Sequence, residues 1–315
     1  EVLKRLVRTA DILVENYRPR VKHRLGIDYE TLSKENPRLI YASISGFGED
    51  GPYHDRAGFD QVAQGMGGLM WVTGLPGHGP VRAGTPVADL SAGLFAAIGI
   101  LIALQERSVS GKGQWVKSSL LSAMVAMMDF QAARWLVEGE IPEQAGNDHP
   151  TSMPTSVYPT ADGFVNVAAT GDVIYARMCD ALEMPELATH PDYVTADSRS
   201  KNRAALNRAI AERSYRYTSD DLIELLNKAG VPCGPIYKMN EVFSDSQIMH
   251  LGMAVTVPKK GGGSLRLVGP AMHLSRTPSR MRRAIGTAGE HNEEVLRELG
   301  YDDSEISSLR SAKVI

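Results

Sequence analysis

Arg38-Leu-Ile-Tyr-Ala-Ser-Ile-Ser45-Gly46-Phe-Gly48-Glu49-Asp50-Gly51-Pro52 is the stretch whose reading decides the fold. From Leu39 to Ser45 the run is apolar or small and carries no charge. A short continuous apolar run bounded by turn residues reads as a strand buried on both faces, as in a parallel sheet. Upstream, Asp11-Ile-Leu-Val-Glu-Asn16 has the same character. Between the two lie a loop, Tyr17-Arg18-Pro19-Arg20, and two short helical segments. Val21 to Leu25 ends near Gly26, and the second, capped by Asp28 or Thr31, stops before Asn36-Pro37. Buried strands joined by helical turns are βαβ units, so the expectation is an α/β fold. The loop after Ser45 contains G-x-G-x-x-G, but Pro52 follows its third glycine and no helix opens there. That excludes the dinucleotide fingerprint. What remains is a glycine-rich loop at the carboxyl end of a strand, where open α/β sheets place ligands.

Downstream, Asp60 to Trp71 reads as a helix despite Gly65, Gly67 and Gly68, which close backbone packing or a ligand would explain. Gly84-Thr-Pro-Val-Ala-Asp89-Leu-Ser-Ala-Gly93 then hands a β-prone run over to an apolar helix that ends near Glu106. At that junction a carboxylate is favoured by unpaired N–H groups and the helix dipole. Taken alone, Asp89 reads as an N-cap. A brief strand is expected at Gln114 to Lys117, then one long helix, Ser118 to Glu138, whose methionine-rich face belongs in the core. Pro142 to Pro154 is polar and proline-bearing. Val157 to Ala168 is a hairpin turning at Asp162-Gly163. Lys259 to Ser264 reads as the tip of another. The expected division is a large α/β domain over 1–145, a linker over 146–154, a small α+β domain over 155–240, and a segment over 241–315 returning to the large domain.

Of the 315 residues, 43% are hydrophobic and 23% charged, with a net charge of −3. That balance disfavours nucleic acid as a partner, since phosphate binding wants a basic surface. Two cysteines, Cys179 and Cys233, are too few for a disulfide framework, which points to the cytoplasm. Leu94 to Leu104, the longest apolar run, is too short for a bilayer core of roughly 30 Å, so no membrane contact is expected. Eight histidines show no metal-ligand spacing. The chain opens inside an amphipathic helix with Val2, Leu3 and Leu6 on one face, and reads as lacking an initial segment.

Val14-Glu-Asn-Tyr-Arg-Pro19, Asn36-Pro-Arg-Leu-Ile-Tyr-Ala-Ser-Ile-Ser-Gly-Phe-Gly48, Gly51-Pro52, Gly58-Phe-Asp60, the Asp89 stretch and Gly111-Lys-Gly-Gln114 occur in that order. Val231-Pro-Cys-Gly-Pro235 and Gly289-Glu-His291 follow. Together they resemble the class III CoA-transferases, the family of formyl-CoA transferase, carnitine CoA-transferase and the α-methylacyl-CoA racemases. The resemblance implies a Rossmann-like large domain, a smaller α+β domain, and an interlocked, ring-like homodimer. It implies that coenzyme A enters as an acyl-CoA substrate, with a small carboxylic acid as second substrate and no metal.

The same resemblance assigns roles. Asp89 matches the nucleophile that attacks the donor thioester, giving a mixed anhydride and then an aspartyl-CoA thioester. Glu49 matches a glutamate near the reaction centre in some members; its plainer reading is a solvent-exposed loop acid. Asn16, Tyr17, Arg18 and Arg24 match the segment that contacts CoA, where arginines suit phosphates and a tyrosine packs on adenine. Ser45 and Phe47 fall on the adjoining CoA-contacting loop. Some formyl-CoA transferases have a lysine at Ser45, and its absence argues against that activity. Backbone N–H groups of Gly46 to Gly51, or near Gly67, would serve developing oxyanions. The racemases carry a histidine at Phe59, and phenylalanine cannot carry a proton, so racemase is the weaker alternative. A non-catalytic CoA-binding protein is the other. Cys233 reads as structural, and His149 and His291 read as hydrogen-bonding residues rather than ligands, with a place facing the substrate as the alternative for His149 in the linker.

Overall fold

The computed structural model describes residues 1–259 and 261–315. Its elements begin with α1 (Val2–Thr9), β1 (Ile12–Glu15), α2 (Pro19–Leu25), α3 (Tyr29–Glu35), β2 (Ile40–Ser45), α4 (Asp60–Met66), α5 (Leu69–Val72) and α6 (Val87–Ser110). β3 (Trp115–Ser119), α7 (Leu120–Ala126), α8 (Asp129–Glu138), β4 (Thr155–Pro159), β5 (Phe164–Ala168), α9 (Asp172–Ala181), α10 (Pro185–Thr189) and α11 (Ala196–Lys201) follow. The chain closes with α12 (Arg203–Ser214), α13 (Ser219–Lys228), β6 (Cys233–Pro235), α14 (Met239–Val242), α15 (Ser246–His250), β7 (Ala254–Pro258), β8 (Ser264–Val268), α16 (Asn292–Glu298) and α17 (Asp303–Ser311). Lys260, in the glycine-rich tip between β7 and β8, lies outside the described residues.

The chain divides into two compact units, 1–157 with 191–203, and 158–190 with 204–315. The first is built on a parallel sheet ordered β1-β2-β3. Ile12 pairs with Ile40 and Tyr41 with Trp115, so β2 is the central strand. That position explains its uninterrupted apolar run: Ile40, Tyr41 and Ala42 are fully buried. Under one part of the sheet, Val7, Leu32, Leu39 and Tyr41 form a core joined by Leu3 and Trp115. The buried face of α1 thus carries Leu3 and Val7, while Leu6 is exposed. A second core joins Ala63 of α4, Ala88 and Ala92 of α6, and Leu120 and Met124. This packing fixes the start of α6 against α4 and α7.

In the second unit, β5 and β6 run antiparallel, with Val167 opposite Cys233. The β4–β5 connection closes with Thr160 N donating to the Gly163 carbonyl, the turn expected at Asp162-Gly163. β7 and β8 form a separate antiparallel pair.

Helix continuity departs from expectation in two places. The run 60–71 breaks at Gly67 and Gly68: a Cβ on Gly67 would lie 2.6 Å from Met124 Cγ, and Gly68 has φ +91. Close packing therefore accounts for Gly67. The run 118–138 is two helices, α7 and α8, bent by 76° where Asp129 adopts φ +44. The bend also corrects the expected core face: Met124 is buried, but Met127 and Trp135 stand about half exposed. α6 overturns the length argument against membranes. Its 24 residues make one helix long and apolar enough to cross a bilayer by length and composition. Leu90, Leu94, Ile98, Leu101, Ile102 and Val109 are all exposed along it.

Candidate active site

Two loops, at the carboxyl ends of β1 and β2, meet the first turn of α6. Asn16, Tyr17 and Arg18 follow β1; Ser45 and Gly46 end β2; His54, Arg56 and Phe59 come from the loop before α4. With Asp89 they line one cavity of about 580 Å³. The approach is close because Gly46 and Gly58 touch backbone to backbone: a Cβ on Gly46 would lie 2.7 Å from Gly58 Cα. Four CoA-segment residues expected from the sequence, Asn16, Tyr17, Arg18 and Ser45, thus share a wall with Asp89. Arg24, Phe47 and Glu49 do not line it. Arg24 is exposed in the last turn of α2. Phe47 packs edge-on against Tyr53, with ring centroids 6.1 Å apart.

Glu49 is buried rather than solvent-exposed, and pairs with Lys22. The Lys22 ammonium has no exposed side-chain surface and is 2.8 Å from Glu15 Oε1. It donates to Ser43 Oγ at 3.0 Å, and Trp115 Nε1 donates to the same oxygen at 2.8 Å. Glu15 Oε2 accepts the Tyr17 N–H at 2.8 Å, which fixes the start of the loop after β1. Two carboxylates therefore share one buried ammonium. Glu49 Oε1 has no hydrogen-bond partner among the described residues. Burial and these two acids push the Tyr41 hydroxyl far above its ordinary range.

Asp89 is not the N-cap of α6. Pro86 holds that position without a side-chain cap, and Asp89 is the third helical residue. The cap is supplied from α4: Asp60 Oδ1 accepts the Ala88 N–H at 2.9 Å. Gln64 braces this contact, donating to Asp60 Oδ2 at 2.6 Å and to the Thr85 carbonyl at 3.2 Å. Its Oε1 accepts the Ala83 N–H at 3.0 Å. Asp60 and Gln64, one helical turn apart, thus hold residues 83–88. Among the described residues, Asp89 itself makes no hydrogen bond or ion pair. Desolvation, then the Asp60 charge, push its carboxyl above the usual aspartate range.

The glycine N–H groups expected to serve oxyanions are partly spent. Gly48 N donates to Ser45 Oγ, Gly67 N to the Ala63 carbonyl and Gly68 N to the Gly65 carbonyl. Burial pushes the Cys233 thiol up to about 11, which keeps it protonated and unreactive at neutral pH. His149 stacks on Phe130 at 5.4 Å and is not in the cavity wall. One potential metal-ligand group occurs among the described residues: His23, Asp28 and Glu30. Both Asp28 oxygens already accept from Thr31, as the cap of α3.

The sequence profile of CoA-transferase family III matches residues 1–292. The chain belongs to that family. Similar curated proteins include the succinyl-CoA–D-citramalate CoA-transferase of Chloroflexus aurantiacus, 36% identical over 100% of this chain and 79% of its own. The succinate–glutarate CoA-transferase of Agrobacterium fabrum is 37% identical over 95% of this chain and 74% of its own. A crystal structure of a CaiB/BaiF family protein from Brucella suis matches with a TM-score of 0.81 and 35% identity, over 95% of this chain and 78% of that one.

In this family III CoA-transferase, sequence reasoning missed Lys22, Arg56, Asp60 and Gln64. Arg20, Lys22 and Arg24 alternate in one basic stretch, and nothing local marks the middle one as buried. The Asp60–Gln64 pair had a signal, an i, i+4 pairing in a first helical turn. Lys22→Ala leaves two buried carboxylates unpaired and is expected to cost about 3–5 kcal/mol in urea unfolding. Glu49→Gln, which relieves the surplus charge, is expected to keep stability; loss of activity without loss of stability would assign Glu49 to the chemistry. Asp60→Asn removes one of the two causes that raise the Asp89 carboxyl. The acid limb of the pH–rate profile is therefore expected to move to lower pH, since Asp89 then ionises earlier as pH rises.

Proposed function

We propose that this protein moves CoA from an acyl-CoA donor to a small dicarboxylic acid, with Asp89 as nucleophile. One observation carries the reading: an unbonded carboxylate shares a cavity with the loop residues matched to CoA binding. The names of relatives, which pair succinyl-CoA or succinate with citramalate and glutarate, support diacids as the substrate class.

The steps balance without water or an external oxidant. The Asp89 carboxylate attacks the thioester carbonyl; a C–O bond forms, the C–S bond breaks and CoA thiolate leaves. The thiolate attacks the Asp89 side-chain carbonyl of this anhydride, releasing the donor acid and leaving an aspartyl-CoA thioester. The acceptor carboxylate attacks that thioester, giving a second anhydride and thiolate. Thiolate then attacks the acceptor acyl carbon, freeing Asp89 and the new acyl-CoA. An anhydride keeps the acyl group activated between steps. Arg18 and the exposed Arg24 suit the CoA phosphates, with Tyr17 on the adenine.

Proton transfer at the α-carbon is a second reading, and one observation favours it. His54 lines the same cavity, although Phe59 stands where the racemases have histidine. Deuterium exchange at C2 of a 2-methylacyl-CoA without any acceptor would establish it.

We extend the proposal to assembly. A second copy covers the apolar face of α6, in the interlocked dimer of the family, and residues 241–315 return to the large domain. An exposed apolar surface of that extent marks an interface. We place the chemistry in the cytoplasm, in keeping with a chain of only two cysteines.

Asp89→Asn is expected to abolish the hydroxamate that hydroxylamine forms at Asp89, with release of CoA or the donor acid, when the protein is incubated with an acyl-CoA. The raised carboxyl means that ionised Asp89 opposes folding at neutral pH, so Tm should hold or rise. Wild-type turnover in this variant would remove Asp89 from the mechanism. Leu94→Lys is expected to convert a dimer to monomer in analytical ultracentrifugation; an unchanged mass would leave α6 outside the interface.

A further inference from the structure

We propose that Arg56 reads the second carboxylate of a dicarboxylic acyl group seated against Asp89. The site then takes CoA esters of diacids in preference to those of monoacids of equal length. The inference rests on the transferase reading and names the residue that gives it its substrate class.

Arg56 lines the cavity that holds Asp89. Its guanidinium lies 3.7 Å from the Tyr53 ring centroid, and Tyr53 is packed edge-on against Phe47. The Arg56 N–H donates to the Tyr53 carbonyl at 2.9 Å, so a tight turn holds the two residues together. Stacking on an aromatic face fixes the plane of the cation without using its donors. Among the described residues, no carboxylate pairs with that guanidinium and no acceptor takes its N–H groups. The planar fork is therefore available, in the shape that matches a carboxylate by two parallel bonds.

The other basic side chains of the cavity have other work. Arg18 stands on the loop matched to CoA binding. His54 is engaged at both ring nitrogens, with Nδ1 at 2.7 Å from the Gly51 carbonyl and Nε2 at 3.4 Å from the Asp55 carboxylate. A diacid bound as its thioester brings one carboxylate that is not reacting. Taken out of water without a cationic partner, that group is strongly disfavoured. Phe59, 74% exposed in the same wall, offers apolar surface to the methylenes between the two ends.

The test labels wild type, Arg56→Ala and Arg56→Lys with succinyl-CoA or butyryl-CoA and reads the rate of adduct formation on the Asp89 peptide by mass spectrometry. Wild type is expected to label faster with succinyl-CoA, by about tenfold or more, the scale of a charge-assisted contact. Arg56→Ala should erase most of that ratio and Arg56→Lys restore part of it. A ratio near one in wild type overturns the inference. So does a ratio that survives Arg56→Ala while both rates fall together, since Arg56 would then hold CoA itself. No label on wild type from either thioester removes the transferase reading and this inference with it. That result is distinct from equal labelling by both, which removes the inference alone.

Discussion

A single buried ammonium fixes where the site begins. Lys22 is fully enclosed and reaches Glu15 at the end of β1, Ser43 in the middle of β2 and Glu49 in the loop that follows. Through Ser43 it is also tied to Trp115 of β3. A charge taken out of water is tolerated only where pairing and hydrogen bonds replace its hydration. The fold therefore cannot let any of these partners drift. Because Glu15 also takes the Tyr17 N–H, the loop after β1 leaves the sheet in a set direction. The network holds three strands and two site-bearing loops in one register, and does so beneath the cavity rather than in it.

The second constraint frees the Asp89 carboxylate. A carboxylate at the start of a helix ordinarily caps it, spending its lone pairs on backbone N–H groups. Here Asp60 performs that task from a neighbouring helix, and Gln64 anchors the incoming segment. Asp89 is left one residue further along with nothing to bind. Its carboxyl is also more basic than usual, because it is partly desolvated and has Asp60 near it. A more basic carboxylate is a better nucleophile.

How legible all this was follows from the physics of each signal. β1 and β2 stood out because strands covered on both faces carry continuous apolar runs. Asp89 and the Asn16–Arg18 loop stood out because their motifs occur in a specific order. The α7–α8 break was not legible. It falls at Met127, Met128 and Asp129, without the glycine or proline that would mark a break, although Asp129 adopts φ +44. Lys22 and Glu49 were hidden for a related reason: which charge in a basic stretch turns inward depends on acids that arrive from elsewhere in the chain. Asp60 was visible as part of Gly58-Phe-Asp60, but its partner, the Ala88 N–H, is 28 residues away.

The cavity keeps its opposite charges apart, and that separation suits a group-transfer site. An arginine clamped onto Asp89 would lower its basicity and occupy the oxygens that the proposed attack needs free. Among the described residues, neither Arg18 nor Arg56 pairs with Asp89, although all three line the same wall. The cations are thus held for groups that arrive from outside, and each has its own tether: Arg18 opens α2 at its N-cap, and Arg56 lies on Tyr53. In the proposed transfer both incoming substrates are anions, and the Asp89 carboxylate repels them. Guanidinium groups placed away from the nucleophile offset that repulsion at the ends of the substrates that do not react. The proposed attack would then come from a carboxylate with no partner of its own among the described residues.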